Sequence, residues 1–254
     1  MTSVERDIAL FFLGAAGSVF GSLVGLGGAF VVIPVLRIAF GIPPTQTSGT
    51  ALLLVFANTA TSTIGYLRHG RVDVKLAIPL TIGAIPAAIA GVFAVHYISP
   101  AGFDLVYGIV LIVNAILVIR RRRIASRLEG ERTFAHDPAV GVLAGLAIGF
   151  TSSFFGIGAG LVVVPLLLIA ARMPPHVVAA TSALVITTTS PVGIVAHLIA
   201  GDIDWPLALP LILGGVAGGG IAPSIAKRIS SPRLITLLAT ALILAAVGLV
   251  GRHL

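Results

Sequence analysis

Two short glycine-rich stretches are the residues of this chain most able to do chemistry. Residues 24–34 read VGLGGAFVVIP and residues 155–165 read FGIGAGLVVVP, each inside a long apolar run. Glycine lowers helix stability and proline ends or kinks a helix, so each stretch predicts a broken helix. A helix that restarts at about Ala29, and another near Leu161, would turn free N–H groups and a positive dipole end towards the break. Two such starts predict an anion site made without a basic side chain.

Hydroxyl and amide side chains near the glycines could complete that site. They gather in two further segments, TQTSGTALLLVFANTATST and AATSALVITTTSPVG. Hydroxyls can donate to an oxyanion such as sulfite, a sulfonate or a carboxylate. The alternatives are Ser and Thr bonds within or between helices, and glycines that serve only close helix packing. The predicted substrate-binding residues are Ser22, Gly25, Gly27, Gly28, Ser48, Thr50, Asn58, Ser153, Gly156, Gly158, Gly160, Thr181, Ser182 and Thr189.

Charged residues are expected at the ends of the apolar segments. All the carboxylates, Asp104 and Asp202 among them, fall at ends or in loops, so no buried carboxylate is expected for a proton relay or a cation site. Arg37 lies within the first apolar run and is expected to snorkel to the surface. His197 could titrate, and we expect it at the membrane interface. With no cysteine, no catalytic triad and no metal-ligand spacing, the chain predicts neither an enzyme nor a metal or cofactor site.

The elements that must carry these residues are membrane helices. Hydrophobic residues make up 57% of the 254 residues and charged residues 10%, against about 25% charged in soluble domains. Apolar runs of about 20 residues recur, long enough to cross a bilayer core of roughly 30 Å. The net charge of +7 lies mostly in short loops, which indicates topology control and contact with anionic lipid, not nucleic-acid binding. We predict an all-α polytopic membrane protein.

The two halves of the chain are repeats. A shift of 131 residues aligns them without a gap from about residue 14 to residue 99. Chance similarity between apolar segments does not readily match glycines, prolines and aspartates. The shift places Gly25 on Gly156, Gly27 on Gly158, Pro34 on Pro165, Thr50 on Thr181 and Asp73 on Asp204. The predicted boundaries are 1–120 for the first transmembrane repeat, 121–137 for a basic cytoplasmic linker and 138–254 for the second repeat.

Loop charges predict that the repeats are inverted in the membrane. Loops 68–75 and 226–233 each hold three Lys or Arg residues and are expected inside, whereas loops 96–104 and 199–206 hold none and are expected outside. Equivalent loops therefore fall on opposite sides. The first segment of each half must then begin and end on one side, as a helical hairpin broken at its glycines does. Each repeat is predicted to be such a hairpin plus three transmembrane helices.

These residues resemble the sulfite exporter TauE/SafE family, also called the toluene-sulfonate uptake permease family. The resemblance rests on GLGGAFVVIP followed by PPTQTSGTALL, and on FGIGAGLVVVP followed by PPHVVAATSAL, so it covers nearly the whole chain. Members of this family move sulfur-containing organic anions and related oxyanions across the bacterial cytoplasmic membrane, some outward and others inward. The resemblance implies a secondary transporter driven by an ion gradient. The chain departs from the family's Gly-Thr-Ser pattern at Gly49-Thr50-Ala51, while Thr-Ser stands in the second repeat as Thr181-Ser182.

The leading functional hypothesis is an alternating-access transporter for a small sulfonate, sulfite or related anion. The half-helix N-termini and nearby hydroxyls would hold the substrate at the membrane midplane. Two alternatives stay open: a passive anion channel that uses the same dipoles, and a structural membrane protein with no transported ligand. The expected partners are a small anionic substrate, membrane lipid and a second copy in a homodimer.

Overall fold

The protein is described by a computed structural model that covers residues 2–24, 27–68, 72–125, 137–158, 160–163, 175–226 and 231–251. Every regular element in these ranges is a helix, which confirms the predicted all-α class. The helices are α1 (Ser3–Val24), α2 (Ala29–Ile38), α3 (Pro44–Arg68), α4 (Val74–Val95), α5 (Pro100–Ala125), α6 (Pro138–Phe155), α7 (Pro175–Ala200), α8 (Trp205–Ala226) and α9 (Ser231–Gly251). Helix α5 thus continues into the segment predicted as a linker.

Seven of the described helices are long and apolar enough to cross a membrane. They are α1 and α3 to α8, with apolar spans of 18 to 25 residues. At 1.5 Å per residue such spans match a bilayer core of roughly 30 Å. Helix α2 has only 10 residues and is too short to cross by itself. The prediction of a polytopic membrane protein is therefore confirmed.

The first glycine stretch interrupts the helix as predicted. Gly27 and Gly28 adopt left-handed φ angles of 80° and 88°, and α2 restarts at Ala29. Helix α2 then folds back on α1. The close contact between them is seen at Gly17, where an added Cβ would lie 2.9 Å from the Gly28 carbonyl oxygen and 3.2 Å from a Val32 methyl group. The first broken segment is therefore a helical hairpin whose arms touch through glycine.

The second glycine stretch repeats this geometry. Helix α6 ends at Phe155, and Gly156 and Gly158 follow with φ angles of 71° and 57°. Residues 160–163 are helical again. A side chain in left-handed backbone costs roughly 1–2 kcal/mol, which explains why the chain uses glycine on both sides of Ile157.

Contacts between the halves recur at the 131-residue spacing. The Thr50 hydroxyl accepts from the Asp204 amide at 3.1 Å, and the equivalent Thr181 hydroxyl accepts from the Asp73 amide at 3.0 Å. Each aspartate also accepts from an amide three residues ahead, which caps α4 or α8. Each half thus supplies a threonine to the other half's helix start, a reciprocity expected of two-fold related repeats. The inverted orientation in the membrane remains a prediction.

Glycines bring helices of the two halves into backbone contact. The Val142 carbonyl of α6 occupies the space that a Cβ on Gly83 of α4 would need. The equivalent Gly214 of α8 faces the Phe11 carbonyl of α1 in the same way. Small residues permit such close approach between membrane helices. Close packing, the alternative considered for glycine, is therefore the role of these two residues.

Tyr107 provides a first stability prediction. Its ring stacks on Phe103 and lies 5.3 Å from the Phe155 ring, but its buried hydroxyl has no hydrogen-bond partner among the residues that the structure describes. Tyr107→Phe keeps the ring contacts and removes the unsatisfied group, so we expect the free energy of unfolding to rise by about 1 kcal/mol. Circular dichroism during reversible unfolding in mixed dodecylmaltoside–SDS micelles measures it. Tyr66→Phe is the control, because the Tyr66 hydroxyl donates to the Ser22 carbonyl at 3.2 Å and loss of this bond should lower the free energy of unfolding. A lower free energy of unfolding for both variants would contradict the prediction.

Candidate anion-binding site

A small cavity, lined in part by polar residues, lies beside the first glycine break. Its polar lining comes from α1, α3 and the broken backbone, and comprises Ser22, Gly27, Asn58, Thr59, Ser62 and Tyr66. The cavity volume is about 10 Å³, which is room for about one water molecule. A sulfite or sulfonate is larger, so its binding requires the surrounding helices to move apart.

Asn58 is at the centre of this cavity and is completely buried. Its Oδ1 accepts from the Ser22 hydroxyl at 2.6 Å, and its Nδ2 donates to the Gly27 carbonyl at 3.1 Å. The amide therefore joins the end of α1, the broken backbone and the middle of α3. Three of the predicted site residues, Ser22, Gly27 and Asn58, are brought together here.

Ser62 and Tyr66 line the same cavity but were not among the predicted site residues. They follow Asn58 at intervals of four residues, so the three side chains share one face of α3. This spacing is visible in the sequence and could have identified both residues. Tyr66 donates to the Ser22 carbonyl at 3.2 Å, and thereby satisfies one of the carbonyls left unpaired at the end of a helix.

The start of α2 follows this cavity directly along the chain. Gly28 is its N-cap residue and makes no side-chain capping bond. The first turn of a helix carries N–H groups without partners in that helix, and these groups attract anions. Ala29 and Phe30 are almost completely buried. An uncapped helix start thus lies next to the hydroxyl and amide groups of the cavity.

The second glycine break is held by side chains from two other helices. The Ser48 hydroxyl of α3 donates to the Phe154 carbonyl at 2.8 Å, and His197 Nε2 of α7 lies 3.0 Å from the Ser153 carbonyl. Both carbonyls belong to the last turn of α6, where intrahelical partners are missing. A Cβ on Gly156 would overlap the Ser48 backbone. The predicted residues Ser48, Ser153 and Gly156 therefore lie together.

The two breaks meet each other. A Cβ on Gly27 would lie 3.3 Å from the Ile157 carbonyl and 3.0 Å from a Val55 methyl group. A Cβ on Gly158 would overlap the same Val55 methyl group and lie 3.0 Å from an Ile186 methyl group. Val55 and Ile186 are equivalent under the 131-residue shift. The side chains at the contact between the breaks are therefore apolar. The cavity beside Gly27 lies to one side of this contact.

A difference between the repeats explains why the cavity is at the first break. Ala183 lines that cavity, and its equivalent in the other repeat is Leu52. The Leu52 side chain is completely buried and lies 2.8 Å from the position of a Cβ on Gly193, the equivalent of Ser62. Leu52 thus fills the space that would correspond to the cavity in the second half.

Other predicted hydroxyls already have protein partners. Ser182 donates to the Ala179 carbonyl at 3.0 Å, and Thr189 donates to the Val185 carbonyl at 2.7 Å, both within α7. Thr50 and Thr181 accept from the aspartate amides described above. Gly160 begins the helical residues 160–163. Gly25 lies outside the described residues, and contact of any of these groups with substrate remains a prediction.

The expectation for Arg37 was wrong. This side chain is 3% exposed and does not reach a surface. Its Nε and Nη2 donate to the two oxygens of Asp104 at 2.7 and 2.8 Å, and its Nη1 donates to the Ile42 carbonyl at 2.6 Å. The expectation that no carboxylate is buried was wrong for the same reason, because a two-bond pairing with arginine offsets the desolvation of Asp104.

The burial of His197 within the protein was not predicted from the sequence, and its position at the membrane interface stays a prediction. The residue is completely buried, and its Nδ1 lies 2.8 Å from one oxygen of Asp202. The second oxygen of Asp202 lies 3.1 Å from His96 Nε2. Asp202 is itself only 4% exposed. The positions of these three residues near loops in the sequence did not predict that they contact one another at the second break.

Comparison with known proteins identifies the family. The model of the family "Sulfite exporter TauE/SafE" matches residues 10–249. The chain is 28% identical over 258 residues to the "Probable membrane transporter protein YunE" of Bacillus subtilis, covering 93% of this chain and 94% of that protein. It is 25% identical over 146 residues to the "Probable sulfite/organosulfonate exporter TauE" of Cupriavidus necator, covering 56% and 53%. No solved structure matches the chain.

The match, the seven apolar helices and the bacterial relatives agree on the class of protein. The family is one of membrane transporters and not of enzymes. The helices make this a multi-pass membrane protein, in agreement with the bacterial relatives, which are named as membrane transporters. The chain therefore belongs to the sulfite exporter TauE/SafE family of membrane transporters.

Proposed function

We propose that this protein is a secondary transporter that moves a small organosulfonate, sulfite or related oxyanion by alternating access, with the substrate held beside the first glycine break. The observation that carries this proposal is the cavity in which Ser22, Gly27 and Asn58 meet next to the uncapped start of α2. The name of the Cupriavidus necator relative supports a sulfur oxyanion as the substrate class.

The chemistry of the cavity suits an anion that must bind and leave. Asn58, Ser22 and Tyr66 carry N–H and O–H groups that now donate to protein oxygens. An entering oxyanion would exchange these bonds for bonds to itself, and such an exchange has a small net free energy. None of the residues named on its polar lining is ionised near neutral pH. An anion held by neutral donors can be released without breaking a salt bridge.

The packing of the breaks supports the proposed motion. Val55 packs against both breaks, Ile186 packs against the second, and both side chains are completely buried. In alternating access, one repeat rocks against the other around a site between them. Movement that parted Val55 from Gly158 would widen the space beside Gly27. We infer that these two apolar side chains form the barrier that closes the present conformation.

Asn58→Leu tests the location of the site. We expect it to lower the rate of counterflow of radiolabelled methanesulfonate into proteoliposomes by at least about tenfold, because one lost hydrogen-bonding group of a desolvated anion accounts for 1.5–3 kcal/mol. Asn114→Leu is the matched control. Asn114 is also buried in a membrane helix, α5, but its amide donates only to its own helix at 2.9 Å.

The assay also compares sulfite, acetate and sulfate with methanesulfonate. Wild-type protein that exchanges none of these anions would contradict the proposed function. Equal rates for wild type and a folded Asn58→Leu variant would contradict the location of the site. Gel filtration and thermal unfolding establish that each variant is folded. Electrical recording separates the channel alternative, since a channel would give large currents and no counterflow.

A further inference from the structure

A group of two histidines and one aspartate, of which His197 and Asp202 are buried and His96 is exposed, lies against the second break and has no part in the anion site. His197 Nε2 faces the Ser153 carbonyl at 3.0 Å, and its Nδ1 faces Asp202 Oδ2 at 2.8 Å. His96 Nδ1 faces the Val92 carbonyl at 2.9 Å, and its Nε2 faces Asp202 Oδ1 at 3.1 Å. All four ring nitrogens therefore face oxygen atoms.

These contacts fix the number of protons that the group holds. A carbonyl oxygen can only accept, so the ring nitrogens that face Ser153 and Val92 must carry hydrogen. One proton must also lie in each of the two contacts with Asp202, because otherwise a nitrogen lone pair would face an oxygen lone pair. Two imidazolium rings and one carboxylate satisfy every contact, with a net charge of +1. The observed geometry is therefore that of the proton-loaded group.

Loss of one proton cannot leave this geometry unchanged. Without the proton between His197 and Asp202, two acceptors would face each other at 2.8 Å. The imidazole would have to turn and give up either Asp202 or the Ser153 carbonyl. Ser153 lies in the last turn of α6, three residues before Gly156, where the helix dipole favours a cation. Proton occupancy thus acts directly on the backbone of the second break.

The first break has the same contact without a group that titrates near neutral pH. Tyr66 is the equivalent of His197 under the 131-residue shift, and its hydroxyl donates to the carbonyl of Ser22, the equivalent of Ser153. An unperturbed phenol has a pKa of about 10, and an imidazole of about 6.5. The second break is therefore held by an imidazole, the side-chain type most often used to exchange protons, whereas the first is held by a phenol.

Solvent can reach one end of the group. The side chain of His96 is 37% exposed, that of Asp202 is 5% exposed and that of His197 is fully buried. Packed elements α3 and α6 contribute Gly49 and Ser153, which do not titrate. In the described part of the chain no other ionised side chain pairs with Asp202, and no three ligand side chains converge on a metal position. A proton is the cation that this arrangement fits.

We propose that His96, Asp202 and His197 form the proton-binding site that couples a pH gradient to anion transport, with the proton held between Asp202 and His197 and released when the second break moves. The proposal rests on the proposed function. The coupling proposal goes beyond the proposed function, because it assigns the driving ion and the residues that bind it. The expectation from sequence that no carboxylate serves a proton relay is replaced by a relay that enters at His96.

Proteoliposomes test the coupling directly. Methanesulfonate is the probe, because it stays ionised across the range used and any pH effect then belongs to the protein. The measured quantity is the ratio of its uptake with and without an imposed gradient of one pH unit, which can reach about ten for one coupled proton. For Asp202→Asn and His197→Gln, which keep a hydrogen-bonding amide but do not titrate, we expect this ratio to fall to about one.

Asp204→Asn is the matched control. It makes the same charge change two residues away, and Asn can replace Asp204 as the cap of α8. We expect its ratio to equal that of the wild type. A pH-gradient response that survives in Asp202→Asn or His197→Gln would overturn the proposal. Absence of methanesulfonate counterflow in the wild type would instead count against the proposed function.

Nitrogen-15 NMR of histidine in detergent micelles gives an independent readout on wild-type protein. We expect the imidazolium of the buried His197, protonated at both Nδ1 and Nε2, to exchange slowly with water. The signal of this ring should be absent from His197→Gln. This measurement decides the matter even where a variant fails to fold or to exchange substrate. A wild type in which every histidine is a neutral imidazole would overturn the proposal.

Discussion

Asp104→Asn is expected to lower the free energy of unfolding by about 3–5 kcal/mol, the usual loss when one member of a buried ion pair is removed. Asp104 is completely buried and accepts two hydrogen bonds from Arg37. Asparagine keeps the shape of the side chain but leaves the Arg37 guanidinium buried without a counter-charge. Unfolding in mixed dodecylmaltoside–SDS micelles, followed by circular dichroism, measures the change.

Two further variants separate charge pairing from other contributions. Arg37→Met combined with Asp104→Leu removes both charges of this pair, so the double variant should be more stable than Asp104→Asn alone. It should remain below wild type, because the Ile42 and Pro100 carbonyls lose their donor, at about 1–3 kcal/mol for an unsatisfied group. Asp7→Asn removes a pair whose side chains are 34% and 48% exposed, and should change stability by less than about 1 kcal/mol. Equal effects of Asp104→Asn and Asp7→Asn would refute the assignment.

This ion pair bears on transport through the position of α2. Arg37 is in the last turn of α2, and Asp104 is the fifth residue of α5, near the start of that helix. The pair therefore fastens the far end of the short helix, while its start lies at the break beside the proposed anion site. A helix held at one end can change its angle at the other without leaving its place. We infer that motion at the first break pivots about this ion pair.

Features that depend on local backbone chemistry could be predicted from the sequence. Both breaks follow from glycine and proline within apolar runs, and the restart at Ala29 follows from the first of them. The presence of several apolar helices long enough to cross a membrane follows from composition and length. The recurrence of residue types at a fixed spacing also identified Thr50 with Thr181, and Asp73 with Asp204, as equivalent residues. In each case the signal lies within one segment or in the comparison of two segments.

Features that depend on distant partners could not be predicted in this way. Arg37 and Asp104 are separated by 67 positions, and His96 and Asp202 by 106. Each looks like a charged residue at the end of a membrane segment, and only its partner makes burial favourable. The position of the cavity depends on a similar detail, since Leu52 fills in one repeat what Ala183 leaves open in the other. The volume of the side chain at this one pair of equivalent positions, Leu52 and Ala183, decides which break has a cavity beside it.

Gly158→Ala is expected to lower the free energy of unfolding by about 2–5 kcal/mol. Part of this, roughly 1–2 kcal/mol, comes from placing a Cβ on backbone with a φ of 57°. The rest, roughly 1–3 kcal/mol, comes from overpacking, because the new Cβ would overlap a Val55 methyl group and lie 3.0 Å from Ile186. The same unfolding measurement applies.

Other glycines of the chain separate these two contributions. Gly201 has a φ of 76° and nothing within 4 Å of its Cβ position, so Gly201→Ala should lose only the backbone part. Gly220 lies in helix α8 without a left-handed φ and also faces open space, so Gly220→Ala should be neutral or gain up to about 1 kcal/mol. Adding Val55→Ala to Gly158→Ala should remove the overpacking and leave an effect close to that of Gly201→Ala.

The comparison between Gly158→Ala and Gly201→Ala therefore reports on how tightly the two breaks meet. A clear difference means that Val55 closes on the second break in the stable conformation, as a barrier between the two sides of a transporter must. Equal losses would mean that Val55 moves aside at little cost, and the barrier would then have to lie elsewhere. In folded Gly158→Ala protein, methanesulfonate counterflow should also fall further than in Gly201→Ala, because a wedge at Val55 hinders the parting of the breaks as well as their contact.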